Sequence, residues 1–155
     1  MNMEICKKEI KRHEGEVLEI YEDSLGYKTL GVGHLCKPAD PEYTWEIGTP
    51  VTQEVVDMYF DNDFVTHLAE TIHVMGSEES FYNLPEVIQH VLVNMCFNLG
   101  GTRLSKFKNM LKACRANDWK EMSIQMEDSR WFKQVGRRSI ELQEVVIKQL
   151  DDSIH

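Results

Sequence analysis

Nothing in this 155-residue chain is apolar for the roughly 20 residues that a membrane span requires, so stable membrane insertion is not expected. Residues 1–16 carry charges throughout, where a secretory signal would need an apolar core, so export through a leader of its own is not expected either. Repeats, low-complexity tracts and long linkers are missing, which removes solenoids and linker-joined arrays from consideration. The four cysteines, Cys6, Cys36, Cys96 and Cys114, form no CxxC pair and have no flanking ligand pattern. That argues against a metal site, and in a reducing cytosol it favours free thiols. Basic residues are nearly absent from the middle of the chain. Residues 37–86 hold one Lys or Arg against eleven Asp or Glu, residues 1–36 hold five against seven, and residues 87–155 hold eleven against eight. The net charge of −9 disfavours nucleic acid as a partner, because phosphate backbones reward clustered cations.

What remains suits one domain over residues 1–155, large enough to bury about two thirds of its unfolded surface with no cofactor. Three of the four prolines and five glycines fall within residues 12–51, marking a small β-containing lobe. Val17–Tyr21 and Tyr27–Leu30 read as its strands, around a turn at Asp23-Ser24-Leu25-Gly26. Beyond it Thr52 is a good N-cap, and Val56, Phe60, Phe64, Leu68 and Ile72 repeat every four residues, predicting a connecting helix over about 52–72. Pro85 opens a helix in which Val87 to Phe97 leave almost no polar face, so it should be buried on all sides. Further helices are predicted over Ser105–Arg115, Trp119–Met126 and Gly136–Leu150. The fold class is therefore α+β, mostly α. A helical lobe over about 73–155, together with an N-terminal helix over 1–11, completes it. Cys96 reads as a small core residue, and His67 and His73 as solvent-facing positions on a helix and not as ligands.

Two carboxyl groups near the N-terminus stand in unlike surroundings. Cys6 and Ile10 lie at i and i+4, and the next position on that stripe is Glu14, with Gly15 stopping the helix. Asp23 lies on the open turn. A carboxyl on an apolar face is costly to ionise and suits a general acid, whereas one on a turn stays ionised, and glycosidic cleavage uses such a pair. Thr29, across the hairpin, offers a hydroxyl that can hold water. Spacing alone favours Glu14 as an exposed helix-end residue and Asp23 as an ordinary turn residue.

Glu14-Gly15, Tyr21, Asp23, Gly26-Tyr27, Thr29, Gly31, Gly33 and His34 together resemble the active-site segment of the phage-type lysozymes, glycoside hydrolase family 24. Asn94 to Gly100 is similar to that family's buried central helix, and Ser129-Arg130-Trp131-Phe132 with Gly136-Arg137-Arg138 resembles its C-terminal signature, so nearly the whole chain is covered. The resemblance implies a two-lobed fold, with the small lobe joined to the helical one by the long helix and the substrate cleft between them. It implies Glu14, Asp23 and Thr29 as a catalytic triad in an inverting endo-acting muramidase that cuts the β-1,4 bond between N-acetylmuramic acid and N-acetylglucosamine. Glu14 is then the proton donor, and Asp23 with Thr29 positions the attacking water. A C-terminal arginine pairs with the catalytic glutamate in relatives; Arg137 is assigned that supporting role, with Arg138 the adjacent alternative. His34 is expected to pair with Asp63 as structural support, and Asn98 and Gly33 are expected to bind substrate.

The implied partner is bacterial peptidoglycan, the expected state a monomer, and the location the host bacterial cytoplasm before release to the cell wall, or a virion. Departures from the family pattern cluster between His34 and Thr52, where the chain is shorter and Cys36–Pro50 must rebuild one wall. Trp45 there is either a sugar platform or an apolar cap. The acidic middle also departs from the basic character usual in lysozymes. Lys108, Lys112 and Arg115 share one helix face, by default a solvated one and in the alternative a basic patch that offsets the acidic middle at the wall surface. A catalytically idle wall-binding or protein-binding domain on the same scaffold is the competing reading, and a transglycosylase releasing anhydro sugars a third.

Overall fold

The computed structural model describes residues 1–154, which are mostly helical with one small antiparallel sheet near the N-terminus, an α+β arrangement. Contacts divide the chain into Lys7–Thr66 and a second unit made of Met1–Cys6 with His67–His155.

In the first unit, helix α1 (Met3–Glu14) ends where Gly15 adopts φ +76° and returns its N–H to Lys11 O at 2.8 Å. A residue with a Cβ is disfavoured in that left-handed conformation. Strands β1 (Val17–Glu22), β2 (Lys28–Gly31) and β3 (His34–Leu35) follow in the order β1-β2-β3, all antiparallel, with Tyr21 opposite Thr29. β3 was not expected from the sequence, because two residues carry no alternation to detect. The outer edge of β1 is covered by the rebuilt segment: Ile20 N–H donates to Thr49 O, Gly48 N–H to Ile20 O and Val51 N–H to Leu18 O. Lys28 Nζ donates to the carbonyls of Tyr43 and Trp45 at 3.0 and 2.6 Å, tying a 3-10 turn at Pro41–Thr44 to β2. The exposed sheet edge is thereby paired.

Helix α2 (Gln53–Met75) starts as predicted, with Thr52 Oγ1 accepting the Val55 N–H at 3.2 Å. Ile10, Ile20, Leu30, Val56 and Phe64 are completely buried, each contributing about 1.5–3 kcal/mol by leaving water. The unit is wider than residues 12–51 because α1 from Lys7 onward and α2 up to Thr66 belong to it. Lys7 pairs with Asp61 at 3.2 Å and lies over the Phe64 ring, and Val56 packs against Gly31.

The second unit takes up α2 from His67 and continues through α3 (Glu78–Tyr82), α4 (Glu86–Leu99), α5 (Gly101–Ser105), α6 (Lys108–Arg115), α7 (Trp119–Glu127), α8 (Arg130–Val135) and α9 (Arg137–Ile154). Its core is α4, where Ile88, Val91, Leu92, Val93, Met95 and Cys96 are buried; only its first turn, with Val87, faces solvent. The helix predicted over Ser105–Arg115 starts only at Lys108, with Ser105 the last residue of α5. Phe107 leaves helical geometry at ψ 56° and sets its ring edge-on to Trp131, and this tertiary contact overrides the local propensity. Ser77, Asp118 and Ser129 cap α3, α7 and α8 through their side chains. No helix among the described residues is long and apolar enough to cross a membrane. All four cysteines are free and buried, and burial pushes the Cys6 and Cys114 thiols up to about 12.

Candidate active site

Within residues 7–66 the implied catalytic groups are held by local backbone chemistry. Glu14 is the last residue of α1 and is half-buried. Its carboxyl lies against Gly33, where an added Cβ would stand 2.9 Å from Glu14 Oε2. Gly33 also has φ +63°, so it meets both a steric and a conformational requirement for glycine. Gly33 makes room for the Glu14 carboxylate.

Asp23 begins the hairpin turn. Its Oδ1 accepts the N–H groups of Leu25 and Tyr27, both at 2.9 Å, and its backbone exchanges further bonds with Gly26 and Tyr27. These bonds fix the carboxylate in an Asx turn and leave Oδ2 without a protein hydrogen bond. Thr29, 4% exposed, donates its hydroxyl hydrogen to Tyr27 O at 3.0 Å. With that hydrogen committed, Thr29 Oγ1 faces any further partner as an acceptor.

Tyr21 links these groups. It stands opposite Thr29 in the sheet, and its phenol is raised in pKa by burial first and then by the negative charges of Glu14 and Asp23. The phenol therefore lies in the field of both carboxylates. The sequence motif contained Tyr21 without giving it a function; its place opposite Thr29 was the available signal.

Behind the sheet His34 is 5% exposed and has a carboxylate on each ring nitrogen, Asp63 on Nδ1 at 2.7 Å and Asp40 on Nε2 at 2.8 Å. Its ring stacks on Tyr59 at 4.0 Å, and Tyr59 donates its hydroxyl to buried Glu42 at 2.5 Å. Burial opposes a charged His34, but the two aspartates outweigh it and hold the pKa above its ordinary value. Burial likewise opposes ionisation of Asp40, yet the Lys37 N–H and His34 keep its pKa below the usual carboxylate range. Asp40 and Glu42 were missed in the sequence because they lie in an irregular loop.

In the helical unit, Asn98 is half-buried and its Oδ1 accepts the indole N–H of Trp131 at 2.8 Å. The two adjacent arginines differ sharply. The Arg137 side chain is 92% exposed and lies 3.5 Å from Glu141, a pairing worth little in solvent. Arg138 is buried and donates from Nε to Asn94 Oδ1 at 2.9 Å and from Nη2 to Asn94 O at 3.3 Å. The supporting position assigned to Arg137 is thus an exposed one, because Arg138, and not its neighbour, lies on the buried stripe of α9 with Leu142 and Val146.

The model of the family described as phage lysozyme matches residues 11–145. Probable T4-type lysozyme 2 of Dictyostelium discoideum is 28% identical over 146 residues, covering 84% of this chain and 86% of that protein. Probable T4-type lysozyme 1 of the same organism is 29% identical over 147 residues, with the same coverage of 84% and 86%. The pre-baseplate central spike protein Gp5 of Enterobacteria phage T4 is 27% identical over an alignment of 158 residues, covering 89% of this chain but only 27% of that protein. With the family model spanning most of the chain, including the Glu14–His34 segment and both arginines, the protein belongs to the phage lysozyme family of peptidoglycan hydrolases.

Proposed function

We propose that the protein is an endo-acting muramidase that hydrolyses the β-1,4 bond between N-acetylmuramic acid and N-acetylglucosamine with inversion, and that it acts in bacterial cell-wall lysis after release from the host cytoplasm. The observation that carries this reading is the state of three groups in one unit: Glu14 over Gly33, Asp23 with one oxygen pinned and one open, and Thr29 with its hydrogen already donated. A water that donates one hydrogen to Thr29 Oγ1 and the other to Asp23 Oδ2 presents a lone pair to the anomeric carbon. As that oxygen–carbon bond forms, the glycosidic bond breaks. Glu14 gives its proton to the leaving oxygen, and Asp23 takes one from the water. Tyr21 stands opposite Thr29 in the sheet, in the field of both carboxylates. The supporting function expected of an arginine we assign to Arg138, because it is the buried and hydrogen-bonded one of the two.

Digestion of purified Gram-negative peptidoglycan tests this reading. The wild type should release muropeptides with reducing muramic ends, newly formed in the α configuration. Glu14→Gln and Asp23→Asn should each lower kcat by about 10²–10⁴-fold, the range for loss of a general acid or base. Anhydro ends would move the chemistry to transglycosylation. No release by any of the three proteins across pH and salt would favour a wall-binding domain without activity.

A further inference from the structure

In the helical unit, away from the groups above, three side chains of different donor chemistry converge. A ring nitrogen of His67, a carboxylate oxygen of Glu70 and the sulfur of Cys96 all lie within 4.8 Å of one another. His67 and Glu70 are at i and i+3 on α2, and Cys96 comes from α4. His67 Nδ1 is 2.7 Å from Glu70 Oε1, an ion-pair distance, yet this buried nitrogen makes no hydrogen bond because the geometry does not align a hydrogen between the two atoms. A nitrogen and a carboxylate oxygen brought together off hydrogen-bonding geometry is the arrangement of two ligands facing one ion.

The groups behind these three resemble the supports of a built site. Glu70 Oε2 accepts the Gly101 N–H at 3.0 Å, which turns Oε1 towards His67. Gly101 is needed there, since a Cβ on it would stand 2.8 Å from Glu70 Oε2 and 2.9 Å from Glu70 Cβ. The His67 ring packs edge-on against Phe97 at 5.0 Å, fixing its plane. Thr71, fully buried and one turn beyond His67, donates its hydroxyl to His67 O at 2.7 Å and also lies beside the Cys96 thiol. Outer partners of this kind orient metal ligands. An open cavity of roughly 640 Å³, lined by Glu70, His73, Gly101 and Thr102, lies on the Glu70 side of the cluster.

We propose that His67, Glu70 and Cys96 form a binding site for a divalent transition-metal ion of the zinc type. One thiolate, one imidazole and one carboxylate are the ligand types that zinc accepts, with a water from the cavity completing four-coordination. The charge balances: thiolate and carboxylate carry two negative charges against the two positive charges of the ion. On binding, Cys96 releases its proton to solvent as the sulfur–metal bond forms, and no electron moves. Donors about 2.0–2.3 Å from one ion at tetrahedral angles stand about 3.3–3.7 Å apart, so His67 Nδ1 and Glu70 Oε1, 2.7 Å apart without metal, open by on the order of 0.6 Å to share an ion. The site is not legible in the sequence, because α2 supplies two ligands and α4 the third with no regular spacing between them.

The test is titration of the full chain, stripped of metal and kept reduced, with Co²⁺ and then Zn²⁺. One equivalent of Co²⁺ should bind with a sulfur-to-cobalt charge-transfer band, and Zn²⁺ should displace it and raise Tm. Cys96→Val should abolish the band, and His67→Gln and Glu70→Gln should each weaken binding at least about tenfold, the lower end for losing even an outer partner. His67 and Glu70 are partly exposed, so their variants carry the test if Cys96→Val does not fold; circular dichroism without metal establishes folding for each. Failure of Co²⁺ to saturate at one equivalent, or wild-type affinity in any folded ligand variant, overturns the assignment.

Discussion

In residues 7–66 a buried histidine has a carboxylate on each ring nitrogen, whereas in residues 67–154 His67 has one carboxylate close by and a nitrogen outside hydrogen-bond geometry. The first arrangement is saturated. His34 has no capacity left for a ligand, and its two aspartates, one from the loop and one from α2, make it a clamp between β3 and its surroundings. The second arrangement is open, and its geometry improves only when something is added. The same side chain is thus structural in one unit and a candidate ligand in the other, and the deciding quantity is how many of its nitrogens the protein itself satisfies.

The largest effect is expected from breaking the saturated histidine. His34→Asn removes one member of a buried charged cluster and leaves Asp40 and Asp63 short of their partner, which should cost about 2–4 kcal/mol in chemical denaturation. Its pH dependence sharpens the contrast. His34 has a raised folded pKa, so its contribution is complete below the unfolded value near 6.5 and is lost as pH rises through the folded value. Asp40 has a lowered folded pKa, so its contribution is present above the unfolded value near 3.9 and is lost as pH falls through the folded one. The wild-type advantage over His34→Asn should therefore peak in mildly acid solution and shrink on both sides.

Next comes Gly33→Ala, which puts a methyl group 2.9 Å from Glu14 Oε2 and should lower kcat about 10–100-fold by displacing the acid. A readout of kcat against Tm distinguishes this from general unfolding. Arg138→Leu should cost about 1–3 kcal/mol, because buried Asn94 Oδ1 loses its donor, whereas Arg137→Leu should change stability by less than about 0.5 kcal/mol. The smallest effect belongs to the open histidine. Without metal, His67→Gln should alter Tm little, a change within about 0.5 kcal/mol, and a larger loss would mean that His67 is already saturated.

Those contrasts also show what the sequence can and cannot display. The end of α1 at Gly15, the Asp23 turn and the Thr52 cap were readable because each depends on a few neighbouring residues. Asp40 was not, because its significance arises only when an irregular loop folds back on His34. The break between α5 and α6 was hidden for a similar reason, being made by Phe107 against Trp131 rather than by a proline or glycine. The choice between Arg137 and Arg138 was accessible by a different route. Stepping back by four from Val146 and Leu142 lands on Arg138, so the apolar stripe of α9 identified the buried arginine while the motif alone left the pair open.

The Asp23 turn has a consequence for how this protein can change over generations. Asparagine at position 23 offers the same Oδ1 acceptor to Leu25 and Tyr27, so the hairpin would fold with either residue. Folding therefore exerts almost no preference between acid and amide there. A lineage released from the need to cut cell walls could lose the acid in one step without a folding penalty, and on the function proposed above a lineage that keeps it is held by the reaction alone.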